Sequence, residues 1–290
     1  MIALLLSIVS ATVIFVVFKL FSKYEINTLH AIVVNYMVAC GCGLYFQESE
    51  NVLTEIAKNE WFPFAVGLGA LFITVFNLMA LTTQRSGLSV VSVATKMSVV
   101  IPVVFGLIYY KESLGTLKSL GIILALLAVY LTSVKTRDGL NIKPSNLIFP
   151  VLVFLGSGII DTSLKYLESE YVAKHDTPIF SATIFAAAAS LGILLLIVHA
   201  IQGKFQFKFK NILAGIVLGV PNYFSVYFLV QALRSGIFES SGIFTVNNVA
   251  IVMFSTLLGI LLFKEKLLPK NWIGIALAVL GILLIALEKF

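Results

Sequence analysis

An all-α membrane protein is the fold class this sequence predicts, and three observations predict it. Hydrophobic residues make up 59% of the 290 and charged residues only 12%, where soluble domains carry roughly a quarter charged. The apolar residues come in blocks of about 18 to 23, each long enough to cross a hydrocarbon layer of about 30 Å as a helix. The polar landmarks of the first half return, in the same order, in the second. The alternation expected of β-barrel strands is absent.

Ten spans follow, at 2–21, 27–46, 62–84, 88–109, 116–133, 147–166, 178–200, 211–233, 240–262 and 270–288. The first lacks a basic leader and a small-residue cleavage site, and its lysines, Lys19 and Lys23, come at its end, so it is expected to stay on the mature protein. The second carries Asn35 and the only cysteines, Cys40 and Cys42, beside Gly41 and Gly43; helix packing through small residues is expected there, since a metal site needs more ligands at that depth. The third carries Asn77 and ends at Arg85-Ser86-Gly87. The fourth holds Ser89, Ser92 and Lys96 at helical spacing, followed by Pro102. Lys111-Glu112 precedes the fifth. The sixth contains Gly156-Ser157-Gly158 and Asp161, and the seventh ends near His199. The eighth has Gly215-x-x-x-Gly219 and Asn222 beside Pro221, the ninth Ser240, Ser241, Thr245, Asn247 and Asn248. Lys264-Glu265 precedes the tenth.

The landmarks of the two halves align with little drift. Lys19 faces Lys165 at an offset of 146, Arg85-Ser86-Gly87 faces Arg234-Ser235-Gly236 at 149, and Lys111-Glu112 faces Lys264-Glu265 at 153. From the last pair onward, 21 residues match at nine positions without a gap. The reading is a duplication, with one five-span repeat at 1–134, a connecting loop at 135–146 and a second repeat at 147–290. Five is odd, so the second copy enters the membrane from the opposite side. A 5+5 inverted repeat of this kind is the architecture of secondary transporters, with a midplane site between two halves that rock. Arg-Ser-Gly is expected to close a link in each copy: glycine for the tight turn, serine capping the next helix, arginine snorkelling to headgroups.

The formal charge of +6 does not imply nucleic acid, because the basic residues sit in short links. They read as topology signals. With the N-terminus outside, twelve basic residues face inward and seven outward, so both termini are expected outside. Lys204, Lys208 and Lys210 alternate with phenylalanines and read as an interfacial anchor in the lipid bilayer.

Ten spans in a 5+5 duplication, the Arg-Ser-Gly turns and the Lys-Glu pair before the last span of each half resemble the drug/metabolite transporter superfamily, specifically its EamA-like members, over nearly the whole chain. The resemblance implies a bacterial inner-membrane carrier, an exporter of amino acids, other metabolites or toxic compounds. The stretch DTSLKYLE at 161–168 is also similar to the end of the first span in small multidrug resistance proteins. Those carry a proton-exchanging glutamate two turns before the lysine. Here the matching positions are Ala11 and Ser157, and neither can carry a proton.

Ionisable residues deep in a span are functional candidates because a charge there is costly, about 2.5 to 3.5 kcal/mol on insertion scales. Lys96 is the first, with Ser92 on its helical face, and its repeat counterpart falls near Asn247 and Asn248. Asn35, Asn77 and Asn222 are the other mid-span amides assigned to the substrate site. Asp161 is the candidate for proton coupling; the alternatives for it are an ion pair with Lys96 or a local pair with Lys165. The charge on Lys96 suits a carboxylate or phosphate. The expected function is secondary export of a small polar metabolite, an amino acid or related anionic or zwitterionic solute, with a hydrophobic-cation exporter as the alternative.

An enzyme is not expected: there is no HExxH pair, no second intramembrane aspartate, and no histidine at the depth of Ser157. His30, His175 and His199 lie near span ends without metal spacing, so neither metal nor cofactor is expected. Small-residue faces leave monomer and homodimer both open.

Overall fold

The computed structural model describes residues 1–47, 56–86, 88–133, 146–203, 208–264 and 268–287; the side chains at 22, 80, 83–89, 92, 132 and 133 lie outside the described residues. Among them it is all-helical, without a strand. The helices are α1 (Ile2–Lys23), α2 (Thr28–Tyr45), α3 (Phe62–Ser86), α4 (Leu88–Met97), α5 (Val100–Tyr109), α6 (Thr116–Ser133), α7 (Ile148–Glu170), α8 (Thr177–Ile201), α9 (Phe209–Arg234), α10 (Ser240–Phe263) and α11 (Pro269–Leu287). Eight of the described helices are long and apolar enough to cross a membrane, and Val93–Tyr109 and Thr116–Leu131 are shorter apolar stretches. Their outward faces carry leucine, isoleucine and valine, as a lipid-facing surface requires.

One expected span is broken. The stretch 88–109 divides into α4 and α5 at Ser98 and Val99. Pro102 is the cause: its ring clashes with the carbonyl four residues back, that of Ser98, and it has no N–H to offer. That carbonyl instead accepts from Ile101 N at 2.9 Å, a tighter three-residue turn. Pro221 has no such effect, and α9 runs through it unbroken.

In the packing, α2 lies against α8 and α9, α3 against α7 and α8, and α1 against α9 and α10, while α6 and α11 pair with each other. Exchanging α1 with α7, α2 with α8, α3 with α9, α4/α5 with α10 and α6 with α11 carries these contacts into one another. Three contacts break the pattern among the described residues: α9 packs on α8 and on α7, without a matching main contact of α3 on α2 or on α1, and the third involves α10. Helix α10 packs on α6, whereas α4 and α5 have no main contact with α11.

Gly215 and Gly219 bring α9 against α2. A Cβ on Gly215 would stand 2.5 Å from Val34 Cβ, and one on Gly219 2.6 Å from Val38 Cβ, so this small-residue face is used within the chain. The largest core cluster joins α2, α3, α8 and α9 around Tyr36, Phe72, Phe180, Phe185 and Tyr223. A second surrounds α10 with Leu4, Ile8, Val99, Val103 and Phe244. Every residue of α10 from Ser240 to Val252 is buried.

The second Arg-Ser-Gly differs from expectation in two of its three parts. Gly236 does take a positive φ of 63° at the turn. Arg234 does not reach for headgroups: its Nε donates to Glu168 Oε1 at 2.8 Å, and its terminal nitrogens donate to Thr177 Oγ1 at 2.9 Å and to the Val172 carbonyl at 2.7 Å. It ties the α7–α8 link to the end of α9, because buried carbonyls and a carboxylate are better partners for a planar guanidinium than distant lipid. Ser235 does not cap α10 but donates back to the Ala232 carbonyl at 2.6 Å. The cap comes from Glu112, whose Oε1 and Oε2 accept from Ser240 N at 2.9 Å and Ser241 N at 3.1 Å. The first Arg-Ser-Gly, at 85–87, lies outside the described residues.

Candidate functional site

The break after Met97 puts Lys96 in the last turn of α4. Helix C-termini favour a cation, since the final carbonyls point at it unpaired. Lys96 is buried, its Nζ donates to Asn248 Oδ1 on α10 at 3.1 Å, and it stands 5.0 Å from the centroid of the Phe15 ring on α1. The ring face attracts the ammonium. Asn248 is held in turn by its own Nδ2, which donates to the Phe244 carbonyl at 3.1 Å.

Asp161 on α7 is the charged neighbour of Lys96, near enough to interact electrostatically. Among the described residues Asp161 makes no direct salt bridge to Lys96 or to Lys165, although its carboxylate and the Lys96 ammonium attract each other. Lys165 turns toward the end of α7 and pairs with Glu168 at 2.9 Å, three residues on, where a second cation, Arg234, shares the same carboxylate. Phe15 precedes Asp161 by 146 residues, the offset that relates Lys19 to Lys165. Lys96 therefore lies between equivalent positions of the two halves, one aromatic and one acidic.

A line of polar contacts leads away from Lys96 through the bundle. Next to Asn248 is Asn247, whose Oδ1 accepts from Ser7 Oγ on α1 at 3.3 Å; the same hydroxyl lies 3.0 Å from the Ser225 carbonyl on α9. Ser225 Oγ donates to the Asn222 carbonyl at 2.8 Å, and Asn222 Nδ2 donates to Asn35 Oδ1 on α2 at 3.0 Å. Lys96, Asn248, Asn247, Asn222 and Asn35 are thus joined along one line, with Asp161 near its Lys96 end. Asn77 is not: its Nδ2 donates to the Ile73 carbonyl of its own helix at 2.8 Å. The side chain of Ser92 lies outside the described residues.

Ser7, Phe15 and Ser225 were missed from sequence. A serine in an apolar helix is ordinary and its back-bonding to the helix satisfies it. Only the repeat offset to Asp161 could have drawn attention to Phe15.

The arrangement is one buried ammonium with spare donors, two amides and one carboxylate at the crossing of α1, α4, α7 and α10. An ammonium has three donors, and Asn248 takes one. Such a group can hold a carboxylate or phosphate, with the amides fixing its orientation.

The model of the EamA-like transporter family matches residues 1–134 and again 146–287. A protein of Haemophilus influenzae described as an uncharacterized protein is 26% identical over 277 residues, covering 94% of this chain and 93% of its own. A solved structure titled only as the crystal structure of a protein superposes with a TM-score of 0.75 at 13% identity, covering 99% of this chain and 96% of that one, which shows a shared fold. Matched by its family over both halves, the chain belongs to the EamA-like transporter family and is a multi-pass membrane protein.

Proposed function

We propose that the chain is a ten-span carrier built as a 5+5 inverted repeat, of residues 1–134 and 147–290, which exports a small polar metabolite by alternating access. The solute is anionic or zwitterionic, an amino acid or a close relative. It sits at the crossing of α1, α4, α7 and α10, with Lys96 and Asn248 on its acidic group and Asp161 as the coupling residue. Both termini lie outside the inner membrane of a bacterium, in keeping with the excess of basic residues in the opposite links.

The observation that carries the reading is the buried Lys96 and its bond to Asn248. A buried cation needs a compensating partner, and an amide, a ring and the Asp161 carboxylate, which makes no direct salt bridge to it, compensate it only in part. A solute anion completes the compensation while it passes, and its departure leaves the site ready for the next. The test is thermal stabilisation of purified protein by amino acids, organic acids, sugar phosphates and cationic drugs, in wild type and Lys96→Met. Stabilisation by an anionic or zwitterionic solute, lost in the variant, is the expected result. Stabilisation by hydrophobic cations alone, unchanged in the variant, replaces the reading with a drug exporter.

A further inference from the structure

The bundle face at the N-terminus of α10 carries a cluster of charges that the solute site does not use. Glu112, in the link before α6, is buried there and capped onto α10 by four contacts: the amides of Ser240 and Ser241, and both their hydroxyls. A carboxylate at a helix N-terminus meets unpaired amides and the positive end of the helix dipole. Lys118, in the first turn of α6, reaches the same place. Its Nζ lies 3.7 Å from Glu112 Oε2, pairs with Glu239 and donates to the Ser113 carbonyl at 2.8 Å. Glu239, at the N-cap of α10, also accepts from Ser113 N at 3.1 Å. Two carboxylates, one ammonium and a helix end thus fasten α10 to α6 and to the link before it.

On the opposite face Glu265, the counterpart of Glu112, lies outside the described residues, and the other two members of the cluster are not repeated in the sequence. Lys264 repeats the backbone of Lys111, with φ of 53° against 52°. The counterpart of Lys118, 153 residues on, is Asn271, which donates to the Leu131 carbonyl at 2.6 Å and accepts from Leu268 N at 2.8 Å. Glu239 has no counterpart. Gly87 is followed at once by α4, whereas three residues, ending in Glu239, separate Gly236 from α10. The packing shows the same one-sidedness, with α10 on α6 and no main contact of α4 or α5 on α11. Position gives the cluster its consequence. Asn247 and Asn248 follow Ser241 by six and seven residues on α10, about 10 Å along the helix.

We propose that Glu112, Lys118 and Glu239 form a one-sided lock, which keeps the α10 face shut between cycles and leaves the solute-free carrier accessible from the opposite face. The lock rests on the alternating-access reading and adds the resting state to it. Solute binding at Asn248 must work against these contacts to open the α10 face, so the lock sets which side the empty carrier presents.

The test is labelling of a single cysteine by a membrane-impermeant maleimide, in a background with Cys40→Ala and Cys42→Ala. Ser7→Cys lies behind the lock, beside Asn247. His175→Cys, on a link of the same face with its side chain 81% exposed, reports which side of the membrane that face occupies. The parent should label at Ser7→Cys from the opposite face. Glu239→Gln should raise the rate from the α10 face by about two- to fivefold, the range of an exposed ion pair, with Glu239→Asp restoring the parent rate. Lys118→Met, which takes the ammonium away from both carboxylates, should raise it further. Glu112→Gln is unsuitable as the sole variant because it removes the cap of α10. Unchanged labelling from the α10 face in both Glu239→Gln and Lys118→Met, in a parent labelled from one face at a time, overturns the lock and leaves the carrier reading standing. A parent labelled equally from both faces overturns alternating access, and the lock with it.

Discussion

Lys96 and Asn248 are joined by a 3.1 Å hydrogen bond across 152 residues, a separation within the 149 to 153 offsets that align the two halves. The contact therefore links near-equivalent positions, one from each half. A cation faces an amide where strict duplication would place like against like, and two lysines there would repel each other.

Lys96→Met should weaken binding of an anionic or zwitterionic solute by roughly ten- to hundredfold, the range for a hydrogen bond to a charged group. Lys96→Arg keeps the charge but presents a planar fork on a different stem, so it should retain part of the affinity. Solute titrations followed by thermal shift separate the two. Equal affinity in Lys96→Met and wild type contradicts the assignment.

Asn222→Leu removes the bond to Asn35 Oδ1 without touching Lys96. Hydrogen bonds between membrane helices average about 0.6 kcal/mol and reach about 1.7, so the loss of stability should stay under about 2 kcal/mol. Unfolding in mixed micelles measures it. A larger loss means that the line of polar contacts acts as a unit.

Arg234→Lys should be costly although it conserves charge. It gives up a planar donor set aimed at Glu168, Thr177 and the Val172 carbonyl, all inside the bundle. A loss of about 2–4 kcal/mol is expected, with solute affinity little changed. An unaltered unfolding midpoint contradicts the role given to Arg234.

The Glu239 carboxyl, outside the spans, is pushed up by burial, but the Lys118 and Ser113 hydrogen bonds outweigh this and hold it below its ordinary value. A lowered folded pKa means that the Lys118 pair is fully present above the ordinary glutamate range and is lost as pH falls through the folded value. The difference in melting temperature between wild type and Glu239→Gln should therefore persist through neutral and mildly acidic pH and close only below about pH 4. Closure near neutral pH contradicts the pairing.

The helices were legible because hydropathy and short polar links mark them, and the described helix ends fall within a few residues of the expected ones. The break at Ser98 was less visible, since Pro102 acts one turn upstream of itself. Lys96 stood out as a lone charge at depth, and the repeat offset pointed to Asn247 and Asn248 before any contact was known. Arg234 was misread because its partners, Glu168 and Val172, lie more than 60 residues away in sequence. Glu112 was noticed only as a landmark, and its role as a cap depends on α10 folding back over it. Ser7 has no sequence signal strong enough to separate it from any other serine in an apolar helix.

The most direct measurement is counterflow in proteoliposomes preloaded with the solute that stabilises the purified protein. Transient uphill uptake of labelled solute, abolished in Lys96→Met and retained in Asn77→Leu, is the result expected of a carrier whose site includes Lys96. Unsaturable downhill flux without counterflow, or counterflow untouched by Lys96→Met, contradicts it.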